Sequence, residues 1–94
     1  MNVFLKTKYF ANWLSSLRDS KARMKIVRRI ERAELGNFGD HKNIGGSLWE
    51  MRIDYGPGYG LYYTRKENAF YLLLCAGDKS SQQADIKLAA EIWR

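Results

Sequence analysis

The stretch Gly46–Lys79, GSLWEMRIDYGPGYGLYYTRKENAFYLLLCAGDK, limits this chain to few folds because it reads as three consecutive strands of one antiparallel sheet. Trp49, Met51, Ile53 and Tyr55 alternate with Leu48, Glu50, Arg52 and Asp54, the period of two expected of a half-buried strand. Gly56-Pro57-Gly58 follows as a turn, since glycine reaches positive φ freely and proline pre-sets φ at about −65°. The chain returns from Tyr59 to Arg65, turns at Glu67-Asn68, and runs from Phe70 to Cys75 with no polar break. An unbroken apolar run suits a strand covered on both faces, which places it inside the sheet.

The flanking segments supply the helices. Val3–Leu5 is a short apolar start suited to an edge strand. Thr7 is positioned to cap a first helix whose apolar stripe is Phe10, Trp13, Leu14 and Leu17. Asp19-Ser20 ends that helix and caps a second, with Ala22, Ile26, Ile30 and Ala33 facing inward and Gly36-Asn37 closing it. The short link predicts an antiparallel helix pair. Lys21, Lys25, Arg28 and Arg32 share one side of the second helix, which reads as its solvated face or as a ridge that tracks phosphates or docks an acidic partner. Asn37–Gly46 reads as a Gly-rich loop without a strand, and it lacks the ending of a phosphate-binding loop. Ser80 to Gln83 has capping-box form and opens a short C-terminal helix with Ile86, Ala89, Ala90 and Trp93 turned inward. The expectation is one α+β domain over residues 1–94: an N-terminal edge strand and a helix pair packed on an antiparallel sheet of three to four strands, then a short helix.

Charge narrows the partners. Sixteen Lys and Arg against ten Asp and Glu give a net charge of +6, an excess that favours polyanions, nucleic acid first among them. The lone Cys75 cannot form an internal disulfide and reads as a reduced, buried thiol. One His and one Cys build no metal site. No apolar stretch approaches the roughly 20 residues of a membrane span, and the first residues do not resemble a signal peptide, so a cytoplasmic protein without membrane contact is expected.

Hydrolase triads and paired carboxylates are not legible. What remains suits metal-independent RNA cleavage, which needs a base for the 2′-hydroxyl, cations for the developing phosphorane charge and an acid for the leaving oxygen. Lys42, Glu50, Arg52, Tyr59, Lys79 and His41 are the candidates, with tyrosines available to stack a base. Glu50 and Arg52 share a strand face and can equally pair with each other.

The string GNFGDHKNIGGSLWEMRIDYGPGYGLYY, followed by LLLCAGDKSSQQADI, resembles the HigB-like addiction module killer proteins of the RelE/ParE toxin superfamily. The likeness extends from Phe10, Trp13 and Leu14 through Arg29-Ile30 to Lys79. It implies a RelE/ParE-like fold and the toxin of a type II toxin–antitoxin pair. Such toxins are small basic RNases (mRNA interferases) that cut messenger RNA on the ribosome without metal or cofactor. They are neutralised by a cognate antitoxin, often a helix-turn-helix protein. On this chain the resemblance favours Lys42, Arg52, Tyr59 and Lys79 as catalytic residues. His41, Glu50, Tyr62, Arg65 and Gln82 are the expected substrate contacts.

One position departs from the pattern. Relatives carry Gly-Tyr-Arg where this chain has Gly58-Tyr59-Gly60. A glycine inside a strand loses packing and entropy, so the expectation is an attenuated toxin that Gly60→Arg would reactivate. Two other readings stay open: a gyrase poison of the same superfamily, and a non-catalytic module that binds RNA or antitoxin.

Overall fold

A computed structural model describes all residues, 1–94. The elements in chain order are β1 (Val3–Lys6), α1 (Lys8–Ser16), α2 (Ser20–Glu34), β2 (His41–Gly45), β3 (Leu48–Ile53), β4 (Tyr59–Glu67), β5 (Phe70–Asp78), a 3₁₀ turn (Lys79–Ser81) and α3 (Gln82–Trp93). The expected α+β class holds. The sheet, however, has five strands in the order β1-β5-β4-β3-β2, and it is mixed, because β1 runs parallel to β5. This corrects the expected antiparallel sheet of three to four strands.

The extra strand is β2, in the segment read as a strandless loop. Its residues HKNIG have little strand propensity of their own. Pairing comes from outside the segment, as His41 to Asn43 lie in register with Met51, Glu50 and Trp49. Asn43 then folds its amide over the turn, donating to the Gly46 and Leu48 carbonyls at 3.0 Å. An edge strand carrying Lys42 also resists pairing with a second sheet.

The two helices after β1 start where the sequence places them. The Thr7 hydroxyl accepts from Phe10 N, and the Asp19 carboxylate accepts from the Lys21 and Ala22 amides. Both helices cover one face of the sheet. Phe10, Ala22, Ile26, Ile30 and Ala33 meet Met51, Ile53, Leu61, Tyr63 and Leu73 in one core, most of them fully buried. Each large apolar side chain so buried contributes about 1.5–3 kcal/mol.

The interior position of β5, between β1 and β4, explains the absence of polar residues from Phe70 to Cys75, as expected. A bulge at Leu74 shifts its register, since Tyr62 faces Cys75 while Tyr63 faces Leu73. Leu73 and Ala76 thus join the core under α1 and α2, whereas Leu74 and Cys75 join Tyr62 and Ala89 under α3. The Thr7 hydroxyl donates to the bulged Leu74 carbonyl at 2.6 Å, which ties the start of α1 to the irregular strand.

The third helix begins differently from the capping box expected at Ser80. Asp78 caps the 3₁₀ turn by accepting from Ser80 N at 2.9 Å. Ser81 precedes α3 without a side-chain cap; its hydroxyl donates to Asp85 Oδ2 at 2.6 Å instead. Ala89 is buried and Ile86, Leu88, Ile92 and Trp93 pack beside it, while Ala90 faces out, contrary to expectation. No helix is long and apolar enough to cross a membrane.

Candidate functional site

The second face of the sheet is only partly covered, because α3 lies over Leu74, Cys75 and Tyr62 and leaves the other end open. That end is set by one cross-strand row, Arg52 on β3 opposite Gly60 on β4 opposite Gly77 on β5. The space over Gly77 is filled by Ser81 and Asp85, so Gly60 alone of the two glycines lines the floor. A cleft of ≈ 280 Å³ forms above it, walled by Glu50, Arg52, Tyr62, Lys79 and Gln82.

Gly60 is the position on which this site depends. A Cβ there would come within 2.5 Å of Glu50 Oε2 and 2.7 Å of the Tyr62 hydroxyl. The carboxylate and phenol occupy the space a side chain would need. Gly60 is therefore a close-approach glycine, which corrects the expectation that it merely weakens the strand. An arginine there would have to displace Glu50 and Tyr62.

Glu50 lies at the centre, 2% exposed. Its Oε2 accepts from the Tyr62 hydroxyl and from Gln82 Nε2, both at 3.2 Å. Burial pushes the Tyr62 hydroxyl well above its ordinary pKa, and the neighbouring carboxylate reinforces the shift, so the phenol stays a donor. Glu50 Oε1 is buried with no hydrogen-bond partner. The Arg52 guanidinium reaches only to 3.9 Å from that oxygen, and its side chain is 47% exposed. This is the molecule's one ion pair, and the expected intrastrand pairing of Glu50 with Arg52 is present, but loose. An acceptor left open in a buried position is costly unless another group engages it.

The backbone around Arg52 is clamped from α2. The Arg29 guanidinium donates to Arg52 O at 2.6 Å and to Phe38 O and Asp40 O at 3.0 Å. Burial lowers the Arg29 pKa, and Arg32 adds to the shift. On the opposite wall Lys79 N donates to Gly58 O at 3.0 Å, which fixes Lys79 to the turn after β3. Hydrogen bonds from Ser80 hold the Asp78 carboxyl below its usual range. The lining is not uniformly basic: Asp40, Glu50, Asp54 and Asp78 share it with Arg52 and Lys79.

The structure brings together Glu50, Arg52, Tyr62, Lys79 and Gln82 of the predicted site. Lys42 stands opposite Glu50 in the β2–β3 ladder, hence on the same face, but outside the cleft wall. Tyr59 borders the cleft, yet its ring packs edge-on against Trp13 in the helix-covered core, 5.9 Å between centroids. Burial raises its pKa. Tyr59 is thus mainly a core residue. His41 and Arg65 lie on the other face, where they line an aromatic hollow with Phe38, Trp49, Tyr63 and Tyr71. The side-chain period of two put them there, since His41 pairs with Met51 and Arg65 with Tyr71. They are corrected as contacts of the cleft. Asp40 and Asp54 were missed at the rim, and the only signal for them was proximity in sequence to His41 and Arg52.

A protein of Haemophilus influenzae with no characterised function is 44% identical over 90 residues, covering 95% of this chain and 91% of the relative. The chain belongs to that protein's family. No protein-family model matches it. The matched span is long enough that β2 to β5 and the start of α3, the elements that build the cleft, all fall inside it.

Proposed function

We propose that this protein is the toxin of a type II toxin–antitoxin pair with a RelE/ParE-like fold, a metal-independent endoribonuclease that cuts messenger RNA on the ribosome. The observation that carries the reading is the cleft itself: a buried carboxylate with one open oxygen, between Arg52 on one wall and Lys79 on the other. Arg52 swings onto the scissile phosphate and uncovers Glu50 Oε1. Glu50 takes the proton of the 2′-hydroxyl as its oxygen bonds to phosphorus. Arg52 and Lys79 neutralise the charge on the phosphorane oxygens, and the Lys79 ammonium gives a proton to the departing 5′-oxygen. The products are a 2′,3′-cyclic phosphate and a 5′-hydroxyl. Tyr62 and Gln82 hold the Glu50 carboxylate in place from the opposite side. The resemblance of the sequence to the killer proteins supports the substrate and the partner, an antitoxin encoded beside this chain that supplies acidic and apolar side chains.

The experiment is induction in growing cells followed by primer-extension mapping of messenger RNA. Cuts inside translated codons are expected, both in cells and on purified programmed ribosomes. Glu50→Gln keeps the shape of the site and should abolish them. Intact messenger RNA with double-strand DNA breaks would move the assignment to a gyrase poison, and neither signal would leave a binding module.

A further inference from the structure

The candidate cleft presents a difficulty for any polyanion, because its walls carry two cations against four carboxylates. The protein's net charge of +6 must reside elsewhere. Much of it sits on α2, where Lys25, Arg28, Arg29 and Arg32 line a second groove of ≈ 330 Å³ against Asp54 and Tyr55 at the end of β3. Lys25, Arg28 and Arg32 are exposed, and none is in an ion pair. Like charges three or four residues apart on a helix destabilise it slightly. The arrangement therefore weakens the isolated fold unless an anion bridges the cations.

The position of the groove matters as much as its charge. Ile53 and Asp54 border both depressions, so the α2 groove meets the candidate cleft along the end of β3. Arg29 joins them from below, on α2 itself but bonded to the Arg52 carbonyl. The Lys25 ammonium sits 5.1 Å from the centre of the Tyr55 ring, a flat aromatic surface beside the line of cations. Cations in a row with one aromatic face is the pattern that holds a single strand, through phosphate contacts and a stacked base.

We infer that the groove between α2 and the β3–β4 turn is a binding track for the sugar–phosphate backbone of single-stranded RNA, with Lys25, Arg28 and Arg32 on successive phosphates. It rests on the proposed nuclease reading for its substrate, and it gives the cleft the affinity its own walls lack. The same strand passes over Ile53 and Asp54 and presents a phosphate to Arg52. Phosphate contacts of this kind carry no sequence information.

The test uses a fluorescein-labelled, fully 2′-O-methylated 20-nucleotide RNA, which binds but cannot be cut, so the outcome does not depend on catalysis. Anisotropy titrations at several salt concentrations compare the wild type with K25Q/R28Q/R32Q and with K6Q/K66Q/K87Q, which has the same net charge but leaves α2 intact. Removing three phosphate contacts should reduce the slope of log K against log salt by about 2 and weaken binding at least tenfold at moderate salt, whatever the RNA sequence. The control triple should change the slope by less than half as much. Equal losses in the two triples would overturn the track, because net charge alone would then explain binding. It would also be overturned if the α2 triple lost affinity for a polyglutamate peptide and not for RNA, marking the groove as a dock for an acidic protein. An α2-dependent slope in a protein that cuts no messenger RNA would keep the track and remove the nuclease reading.

Discussion

The two ends of the sheet face beneath α3 differ in what they do with burial. At one end Leu74, Cys75 and Ala89 exclude water and contain no charge. At the other, Glu50 is just as buried but is a carboxylate with an oxygen left open. Apolar burial there would have been more stabilising, since a charge taken from water without full pairing costs free energy. The open end is therefore not built for stability alone. It has the character of a site, where polar groups are fixed in place by neighbours that contribute little cohesion themselves.

The comparison can be tested by substitutions on either side of it, beginning with the core that supports both ends. Phe10→Ala removes a fully buried ring from the helix-covered face and should cost about 3–5 kcal/mol in a denaturant titration. A smaller loss would mean that α1 is not essential to the sheet's rigidity. Arg52→Ala should leave the unfolding midpoint nearly unchanged, because the side chain is largely exposed and its ion pair is loose. Cleavage should fall about a hundred- to a thousandfold, the scale for one transition-state cation. Full cleavage by that variant would show that the open end does not need its cation. Gly60→Ala lies on the boundary of the two effects. Its methyl group must push Glu50 or Tyr62 aside, so a destabilisation of about 1–3 kcal/mol is expected, together with reduced activity. A variant more stable than wild type would contradict the close approach.

The smallest effect concerns the dry end. Burial pushes the Cys75 thiol up to about 12 from an ordinary value of 9.0. Above pH 9 the unfolded chain releases that proton while the folded chain keeps it, so stability is intact below pH 9 and declines as pH rises toward 12. Tyr59, Tyr62 and Tyr63 shift in the same direction from 10.0 and add to the slope near pH 10, so over the interval from pH 9 to 10 the difference between wild type and Cys75→Ala isolates the thiol. Cys75→Ala should flatten the stability–pH curve there by roughly 1 kcal/mol. Identical slopes for the two proteins would mean that the thiol is solvated.

The site was partly legible. Glu50, Arg52 and Lys79 could be picked out because strand alternation and the GPG turn put charged residues near one rim. Tyr62 and Gln82 were recognised as contacts, but not as the pair of donors on Glu50. Tyr59 was overestimated because a tyrosine at a strand start looks the same whether its ring joins a core or faces a ligand. The placement of His41 on the other face was hidden because β2 was invisible in the sequence. Its residues form a strand only when the β3 edge is present to pair with. Gly60 was seen as a departure but not as a close approach, since Glu50, which fills part of the space over it, comes from another strand.

Local sequence was enough to place the three helices, the caps of the first two, the β3–β4 and β4–β5 hairpins and the strand buried on both faces. Those features repeat every two or three to four residues along one chain, and each is a local balance of sterics and burial. The row of Arg52, Gly60 and Gly77, and the border of Ile53 and Asp54 that the α2 groove shares with the cleft, exist only once the chain is folded. Register decides this, and one residue of slip turns every side chain of a strand to the opposite face. Here it is fixed by a bulge at Leu74 whose carbonyl is held by Thr7, 67 residues away in the chain.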